Sequence, residues 1–348
     1  MTGEARTLRQ RLFEPSALDR QAPVAKFVTY ALLALWTLVV VVPLYWVFVT
    51  SFKLPGQVAN GPYYVPFVDF APSLDAWNFM LLQNNTLGPY LNSVVVALGS
   101  TFIAVLFGAL AAYALVRTRL EVKLAMVGVF LILLVALIAA VATLGVPWNI
   151  ALGVATALFF IALFTIGRRT KTALGNSDVE FWIISNRIMP PIVAVLPIYV
   201  MFQQLRLLDT QVALIATYTA VNLPIVVWLT RDFFAGIPLD LEESAEIDGA
   251  SKFRVFFTIA LPLVRSGLVA TFLLVLILAW NEYLVALFLS NAEAQTMPVL
   301  VSAQNTTRGP QWWNMSVLIV VMIAPVVVIS SLLQKHIARG LLVGAVKG

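Results

Sequence analysis

The segment 231–264 holds the densest group of charged side chains in this sequence. Four acids fall within seven positions: Glu242, Glu243, Glu246 and Asp248. Carboxylates favour the first turns of a helix, where the helix dipole is positive. With no cysteine or histidine beside them, the acids predict a docking element. The alternative is an amphipathic linker resting on lipid headgroups, but the anionic inner leaflet would repel four acids.

The same segment predicts two short helices joined at a glycine. Pro238 and Asp240 predict the start of the first helix, and Gly249 suits a sharp turn. The second helix, around 252–258, places three phenylalanines on one face by their i, i+3, i+4 spacing, and Pro262 ends it. These phenylalanines are Phe253, Phe256 and Phe257.

The rest of the sequence is poor in reactive groups. It contains no cysteine and one histidine, His336, which excludes disulfides, thiolate metal sites and multi-histidine metal centres. No phosphate-binding Gly-x-x-x-x-Gly-Lys-Ser/Thr motif is present, so the chain cannot hold ATP as a P-loop protein does. We therefore predict no catalytic residue, no metal and no bound cofactor in this chain.

The composition predicts an all-α membrane protein. Hydrophobic residues make up 61% of the 348 residues and charged residues 11%, against roughly 45–50% and 25% in soluble domains. Runs long enough to cross a bilayer, which takes about 20 residues, predict about eight transmembrane helices. We place them at 27–51, 89–116, 124–144, 148–167, 182–204, 211–230, 265–290 and 313–334.

Basic residues predict the orientation of these spans. With residues 1–26 as a retained cytoplasmic tail, 19 of the 22 lysines and arginines fall inside and three outside. This asymmetry follows the positive-inside rule and places both termini in the cytoplasm. The net charge of +5 is then a signal of topology, and nucleic acid is not needed to explain it.

Two segments on the predicted outer side, 52–88 and 291–312, are rich in aromatic, proline, glycine and asparagine residues. One interpretation is an aromatic belt at the membrane interface. The other is a docking surface for an external partner with aromatic anchors.

The spacing within 231–264 resembles the EAA loop of ABC-importer permeases. That pattern is Glu-Ala-Ala, three residues, Gly, nine residues, Ile, one residue, Leu-Pro, and only Ser244 departs from it. The longer stretch 243–250, the C-terminal stretch 339–348 and the stretch Trp280-Asn281-Glu282-Tyr283 are similar to carbohydrate permeases of the maltose-transporter type.

The resemblance implies a subunit of a bacterial inner-membrane importer. Its implied partners are a second homologous permease, two copies of a nucleotide-binding ATPase and an extracytoplasmic solute-binding protein, with ATP and Mg²⁺ on the ATPase. Its substrate is implied to be a sugar, a polyol or a related carbohydrate. The residues implied to couple the permease to the ATPase are Glu243, Ser244, Ala245, Asp248, Gly249, Ala250, Ile259, Leu261 and Pro262.

The resemblance covers roughly 27–119 and 180–348, which together form a six-span core with the coupling loop at 231–264. Residues 120–179 have no counterpart in that core, and we predict an inserted transmembrane hairpin there. Its side chains are almost all apolar, which suits contact with lipid.

Polar residues inside the apolar runs are candidates for a substrate pathway because they are costly in a membrane. Amide and aromatic side chains also suit the hydroxyls and ring faces of sugars. The alternative is hydrogen bonding between helices or, for Glu282, access to water at the outer end of its helix. The candidates are Tyr199, Gln203, Asn222, Trp280, Asn281, Glu282 and Tyr283.

Two other functions remain open. An ion-coupled secondary transporter would need embedded acids and bases, and Glu282 is the only acid well inside a run. A membrane scaffold or enzyme is the third hypothesis, but an enzyme would need a nucleophile with a base, or a metal cluster. A permease for a non-carbohydrate solute is a further alternative within the importer class.

Overall fold

A computed structural model describes residues 22–167, 169, 172–186, 190–307 and 309–345. This part of the chain is almost wholly helical, and its strands are limited to two antiparallel pairs of two residues each. The prediction of an all-α protein is confirmed. Several basic residues used to predict the orientation lie outside the described residues: those before residue 22, Arg168, Lys171, Arg187, Arg308 and Lys347.

The helices and strands are named in chain order. In the first half they are α1 (Pro23–Thr50), α2 (Pro55–Asn60), α3 (Asp75–Asn78), α4 (Leu87–Arg117), β1 (Val122–Lys123), α5 (Leu124–Leu144), α6 (Trp148–Thr165), β2 (Ala173–Leu174) and α7 (Asn176–Ser185). In the second half they are α8 (Pro191–Gln204), α9 (Gln211–Ala235), α10 (Leu239–Ile247), α11 (Lys252–Val255), α12 (Leu261–Leu263), α13 (Arg265–Trp280), α14 (Leu284–Leu289), α15 (Met297–Ala303), β3 (Asn305–Thr306), β4 (Gly309–Pro310) and α16 (Trp312–Ala345).

Five described helices are long and apolar enough to cross a membrane: α1, α4, α5, α9 and α16. A sixth candidate is the pair formed by Lys252–Leu263 and Arg265–Trp280, which bends by 80°. The helices α6 and α8 are apolar but shorter. Several membrane-spanning helices are therefore present, and the number eight stays a prediction.

Two of the predicted spans are not single helices. The run 182–204 is divided between α7 and α8, and α8 starts immediately after Pro190. Proline lacks an N–H and disfavours helical backbone in the residue before it, so Pro190-Pro191 begins a new helix. The run 265–290 is broken at residues 281–283, between α13 and α14. Apolar periodicity could not locate this second break because both sides of it are apolar.

The described chain forms two compact units. One takes in the described residues up to Asn84 with Gln304–Val321, and the other Asn85–Ala303 with the chain from Met322. In the second unit α4 and α9 approach closely at Gly108, where a Cβ would lie 2.5 Å from Cγ1 of Val226. Helix pairs in membranes associate through such small residues because lipid supplies no hydrophobic drive between them.

Helices α5 and α6 form an antiparallel hairpin, in the region predicted to be an insertion. The turn between them is made at Gly145, whose φ of +64° is left-handed, as the Gly-Val-Pro sequence predicts. The pair β1–β2 closes the base, with Val122 opposite Leu174. Phe130 and Phe159 stack edge to face across the hairpin, 6.2 Å apart.

The loop after α14 is held by one carboxylate, that of Asp209. Its two oxygens accept hydrogen bonds from the backbone N–H groups of residues 291, 292, 293 and 294, at 2.8 to 3.1 Å. Nearby, the amide of Asn92 donates to the carbonyls of Glu293 and Gln295 at 2.7 and 3.0 Å. Burial raises the pKa of Asp209, but the four N–H groups together lower it below the usual value.

Replacement of Asp209 with Asn should lower the stability of the second unit in a pH-dependent way. A charged acceptor of four N–H groups is lost, at a cost of about 1–3 kcal/mol near pH 7. Because the folded-state pKa is depressed, this stabilisation is complete above about pH 4–5 and disappears as the pH falls through the folded-state pKa. Thermal unfolding of the detergent-purified protein at several pH values measures it.

The matched control is Glu293→Gln, which removes an exposed charge from the same loop and leaves the carboxylate of Asp209 in place. It should unfold like the parent at every pH. An Asp209→Asn protein as stable as the Glu293→Gln protein at pH 7 would contradict the role of this carboxylate.

Candidate functional site

Helix α10 begins at the predicted position. Pro238 occupies the N-cap, and Asp240 and Glu242 lie in the first turn, where the exposed N–H groups attract negative charge. Ser244, the one departure from the resembling pattern, donates its hydroxyl to the carbonyl of Asp240 at 2.7 Å. Its polar group is therefore satisfied within the helix.

The end of α10 is a Schellman motif centred on Gly249. The N–H of Gly249 donates to the carbonyl of Glu246 and the N–H of Ala250 to that of Ala245, both at 3.0 Å. This closure needs left-handed backbone after the helix, and Gly249 has a φ of +86°. The predicted sharp turn is confirmed, and the motif residues at 245, 248, 249 and 250 are its parts.

The side chain of Glu242 is buried in an ion pair with the end of α4. Its Oε1 accepts from Nε of Arg117 at 2.9 Å and lies 2.8 Å from Nη2 of the same guanidinium, and its Oε2 accepts from the hydroxyl of Tyr113 at 2.7 Å. The exposed fractions of the Arg117 and Glu242 side chains are 14% and 5%. Both of these guanidinium nitrogens face the same carboxylate oxygen, and the other oxygen is occupied by Tyr113; hydrogen bonds between charged groups of this kind are stronger than those between neutral groups.

Arg117 also closes the end of α9. Its Nη2 donates to the backbone carbonyls of Phe234 and Ile237 at 3.1 and 2.9 Å; the carbonyl of Phe234 also accepts from the N–H of Ile237 at 3.2 Å. One guanidinium therefore joins α4, the end of α9 and α10. A substitution that kept only the positive charge would lose this planar set of donors.

An aromatic cluster packs beside the ion pair. Tyr113, Phe234 and Phe256 contact one another with ring centroids 5.1 to 5.9 Å apart, and the two phenylalanines are fully buried. Aromatic pairs at these separations add about 0.5–1.5 kcal/mol beyond the burial of their area. The cluster connects α4 and α9 to the segment that leads into α13.

The prediction that three phenylalanines share one face is wrong. Phe256 is buried, whereas Phe253 and Phe257 are exposed. The reason is local: α11 ends at Val255 and a π-helical turn, Phe256–Ala260, follows it, so the 3.6-residue period is lost. Pro262 lies two residues after this turn, and its missing N–H favours such a disturbance of the preceding hydrogen bonds.

The remaining motif residues divide between surface and packing. Those exposed to solvent are Glu243, Ser244, Asp248, Gly249 and Pro262, and those half-buried are Ala245, Ala250, Ile259 and Leu261. Large apolar side chains are exposed beside the acids: Leu239, Leu241, Ile247 and Phe253. We call the exposed face of 239–253 the loop surface. A mixed acidic and apolar surface of this kind is typical of a docking site.

The break between α13 and α14 is stabilised by side chains at both of its ends. Oε1 of Glu282 accepts from the N–H of Val285 at 3.0 Å, in the first turn of α14. The hydroxyl of Tyr218 donates to the backbone carbonyl of Glu282 at 3.2 Å, and Tyr283 pairs with Ser302 at 2.9 Å. The sequence predicted Glu282 inside a continuous span at 265–290. In the structure it lies between two helices, just before the start of α14.

The other pathway candidates are only partly together. Trp280 donates its indole N–H to the carbonyl of Met322 at 3.0 Å and packs in one apolar cluster with Tyr199. Asn222 is buried and donates to the carbonyl of Tyr218 in its own helix at 2.9 Å. Asn281 donates likewise to Ile277 at 2.8 Å, and Gln203 is exposed.

Sequence reasoning missed Tyr113 and Arg117. Arg117 entered only as one of the basic residues that set orientation, and Glu242 only as an acid at a helix start. A usable signal was present, since Tyr113 and Arg117 are four residues apart at the end of α4 and so lie on one face. What the sequence lacked was the distance from this face to residue 242.

Comparisons with known proteins agree with this architecture. A family model described as "Binding-protein-dependent transport system inner membrane component" matches residues 179–343. The trehalose/maltose transport system permease protein MalG of Thermococcus litoralis is 33% identical over 198 residues, covering 54% of this chain and 71% of that protein.

One further relative and one solved structure match over most of the chain. The diacetylchitobiose uptake system permease protein NgcG of Streptomyces coelicolor is 26% identical, covering 89% of this chain and 85% of that protein. A crystal structure of a bacterial ABC transporter involved in the import of alginate superposes with a TM-score of 0.58 at 20% identity. It covers 90% of this chain and 96% of that one, which is a likeness of fold.

Neutralising Glu242 should destabilise the protein far more than neutralising its neighbour. Glu242→Gln leaves Arg117 buried beside a weaker acceptor, and breaking a buried pair costs about 3–5 kcal/mol. Glu243→Gln alters an exposed carboxylate and should cost less than about 0.5 kcal/mol. Thermal unfolding of the two purified variants measures the difference, and equal unfolding temperatures would remove the ion pair from the account of stability.

Proposed function

The chain belongs to the binding-protein-dependent, inner-membrane permeases of ABC importers, and on that premise we propose that it imports a carbohydrate. It is a transmembrane permease subunit and a multi-pass protein of the inner membrane. Relatives that align over most of their own length carry the names of disaccharide permeases, which supports a sugar or a related polyhydroxylated solute. The same substrate class was implied by the sequence motifs.

The observation that carries the coupling proposal is the pairing of an exposed loop surface with a buried anchor. Glu243 and Ser244 on α10 and Asp248 at its C-cap are exposed, while Glu242 on the same helix is paired with Arg117. A partner that moves α10 therefore moves α4 and the end of α9 with it. Packed elements transmit displacement in this way because they shift as rigid bodies.

We assign the moving partner to a separate nucleotide-binding ATPase, present in two copies and carrying ATP and Mg²⁺. This chain supplies the docking surface and binds no nucleotide or metal of its own. A second homologous permease would complete the pathway, and an extracytoplasmic binding protein would deliver the solute. In this arrangement both termini and the loop surface lie on the cytoplasmic side, with lipid around the spans.

The helix break at 281–283 supports a pathway along α13 and α9. Non-helical backbone at membrane depth is tolerated where it is buried in protein or lines a cavity, and broken helices are typical of substrate sites in transporters. The 16 residues of α13 rise about 24 Å; with the start of α13 at the inner surface, as we propose, the break would lie in the outer half of a hydrocarbon layer about 30 Å thick. We propose Glu282, Tyr283 and Trp280 as the central residues of this substrate pathway. Tyr199, Gln203, Asn222 and Asn281 would lie around them.

Ion coupling is the less favoured mechanism. An ion-coupled transporter needs a carboxylate free to bind a cation or proton, whereas Glu282 already accepts a backbone hydrogen bond in α14.

The hairpin of α5 and α6 we assign to an insertion at 120–179 that faces lipid. The family match begins at residue 179, at the end of this segment.

Reversing the charge of Glu243 should uncouple the permease without unfolding it. In Glu243→Lys, an exposed acid of the loop surface becomes a base, so co-purification of the ATPase and ATP-driven uptake should each fall at least tenfold. The unfolding temperature of the isolated chain should stay within a few degrees. Asp232→Lys reverses another exposed acid, which lies in α9 outside the loop surface of 239–253 and 3.4 Å from Arg231; it is the matched control and should retain both activities.

The substrate class is tested in proteoliposomes that hold the complete transporter and its binding protein. Radiolabelled maltose, trehalose and diacetylchitobiose are offered beside an amino acid, with and without ATP inside. ATP-dependent uptake of at least one sugar is expected, and the amino acid should stay outside. Uptake of the amino acid alone would favour the alternative of a permease for a non-carbohydrate solute.

A further inference from the structure

An apolar groove with one charged end lies in the second unit, between α4 and α13. It has a volume of about 390 Å³, within the range of about 300–1,000 Å³ of pockets that hold organic ligands. Its lining runs along α4 from Phe102 to Ala109 and along the start of α13 from Arg265 to Val269, and the π-helical turn contributes Phe256. None of the lining residues belongs to the loop surface or to the helix break, so the groove is a separate feature of the chain.

The charge of the groove is positive. Arg265 is the one charged residue among its described lining residues, and it is exposed. Two further exposed bases, Lys252 and Arg254, precede the π-helical turn that leads into the groove. The segment 249–281 contains these three bases and no acid. This end of the groove therefore favours an anionic group.

The charged end and the apolar part of the groove lie at different levels along α4. Ala109 belongs to the same apolar cluster as Val264, the residue before α13, whereas Ala104 belongs to the same cluster as Val275. The helices α4 and α13 are thus antiparallel, with the charge at the level of Ala109. From there the groove continues along α4 to Phe102, a rise of about 10 Å, past apolar side chains alone. This order matches a molecule with an anionic head and an apolar chain.

We propose that this groove binds one anionic phospholipid, with its phosphate at Arg265 and an acyl chain along α4 towards Phe102. A guanidinium can donate two parallel hydrogen bonds to a phosphate, and basic pockets between spanning helices suit acidic headgroups of the cytoplasmic leaflet. A free phosphate would leave the apolar part of the groove uncovered, and an apolar helix of another subunit would leave the guanidinium without a counter-charge.

A lipid in this groove would touch the coupling motif itself. Leu261 and Pro262 line the groove, and the ring of Phe256 lies 5.1 Å from that of Tyr113, beside the buried ion pair. The lipid would therefore fill the space between α4 and the segment that follows the loop surface. The assignment to the cytoplasmic leaflet rests on the orientation in the proposed function, whereas the binding itself depends on neither ATP nor sugar.

The test is photolabelling of the complete transporter by two lipids that differ in headgroup charge. Phosphatidylglycerol and phosphatidylcholine each carry a photoreactive diazirine in one acyl chain, and mass spectrometry of the digested chain locates the label. Phosphatidylglycerol should label the stretch 102–109 at least fivefold more than phosphatidylcholine does. Arg265→Gln should reduce this preference to less than twofold. Arg206→Gln removes an exposed arginine outside the groove and is the matched control, with the preference of the parent.

A second pair of variants tests the path of the acyl chain. Leu106 is exposed and lines the groove, so the larger side chain of Leu106→Trp should occupy its space and lower labelling by both lipids at least fivefold. Phe107, the next residue, is exposed and lies outside the lining. Phe107→Trp is therefore the control and should be labelled like the parent.

Several results would overturn the proposal. Equal labelling by the two lipids, or the same preference in Arg265→Gln and Arg206→Gln, would remove the phosphate from Arg265. Equal labelling of Leu106→Trp and Phe107→Trp would remove the acyl chain from the groove. Labelling of the isolated chain but not of the complete transporter would assign the groove to a contact with another subunit. ATP-driven sugar uptake, measured in parallel, reports on the proposed function alone, so the two ideas can fail separately.

Discussion

The arrangement of α4, α9 and α10 depends on one buried contact, between Arg117 and Glu242. A carboxylate and a guanidinium removed from water are stable only when each is matched by the other and by further hydrogen bonds. Tyr113 supplies one such bond to the carboxylate, and two carbonyls at the end of α9 accept from the guanidinium. The contact therefore fixes the position of α10, and with it the exposed face that we propose as the docking surface.

The same requirement for matched polar groups governs the helix breaks. Lipid offers no hydrogen bonds, so each interruption of a helix must be satisfied from within the protein. Glu282 does this for the start of α14, and Asp209 does it for four consecutive N–H groups in the loop that follows. Acids near apolar runs thus have a structural use here, which weakens the case for ion coupling.

Much of the coupling element could be predicted from the sequence. Acids after Pro238, Gly249 and the Leu261-Pro262 pair predict a short helix, a turn and a second segment. Helix α10 and the turn at Gly249 agree with that prediction. The face of the phenylalanines could not be predicted, because a π-helical turn shifts Phe256 to the inside. Nor could the break at 281–283, since hydropathy does not change across it.

By itself, the sequence determined that the chain lies in a membrane, that it is helical, and that it resembles the permeases of ABC importers. Scarce charge and abundant apolar residues are properties of the composition, and the spaced acidic motif is a property of the order of residues. Both are the same in any conformation. Only the tertiary structure decided which acid is exposed and which is buried in an ion pair. Glu242 and Glu243 are adjacent and chemically identical, but a helix turns by about 100° per residue. One therefore meets Arg117 and the other meets solvent.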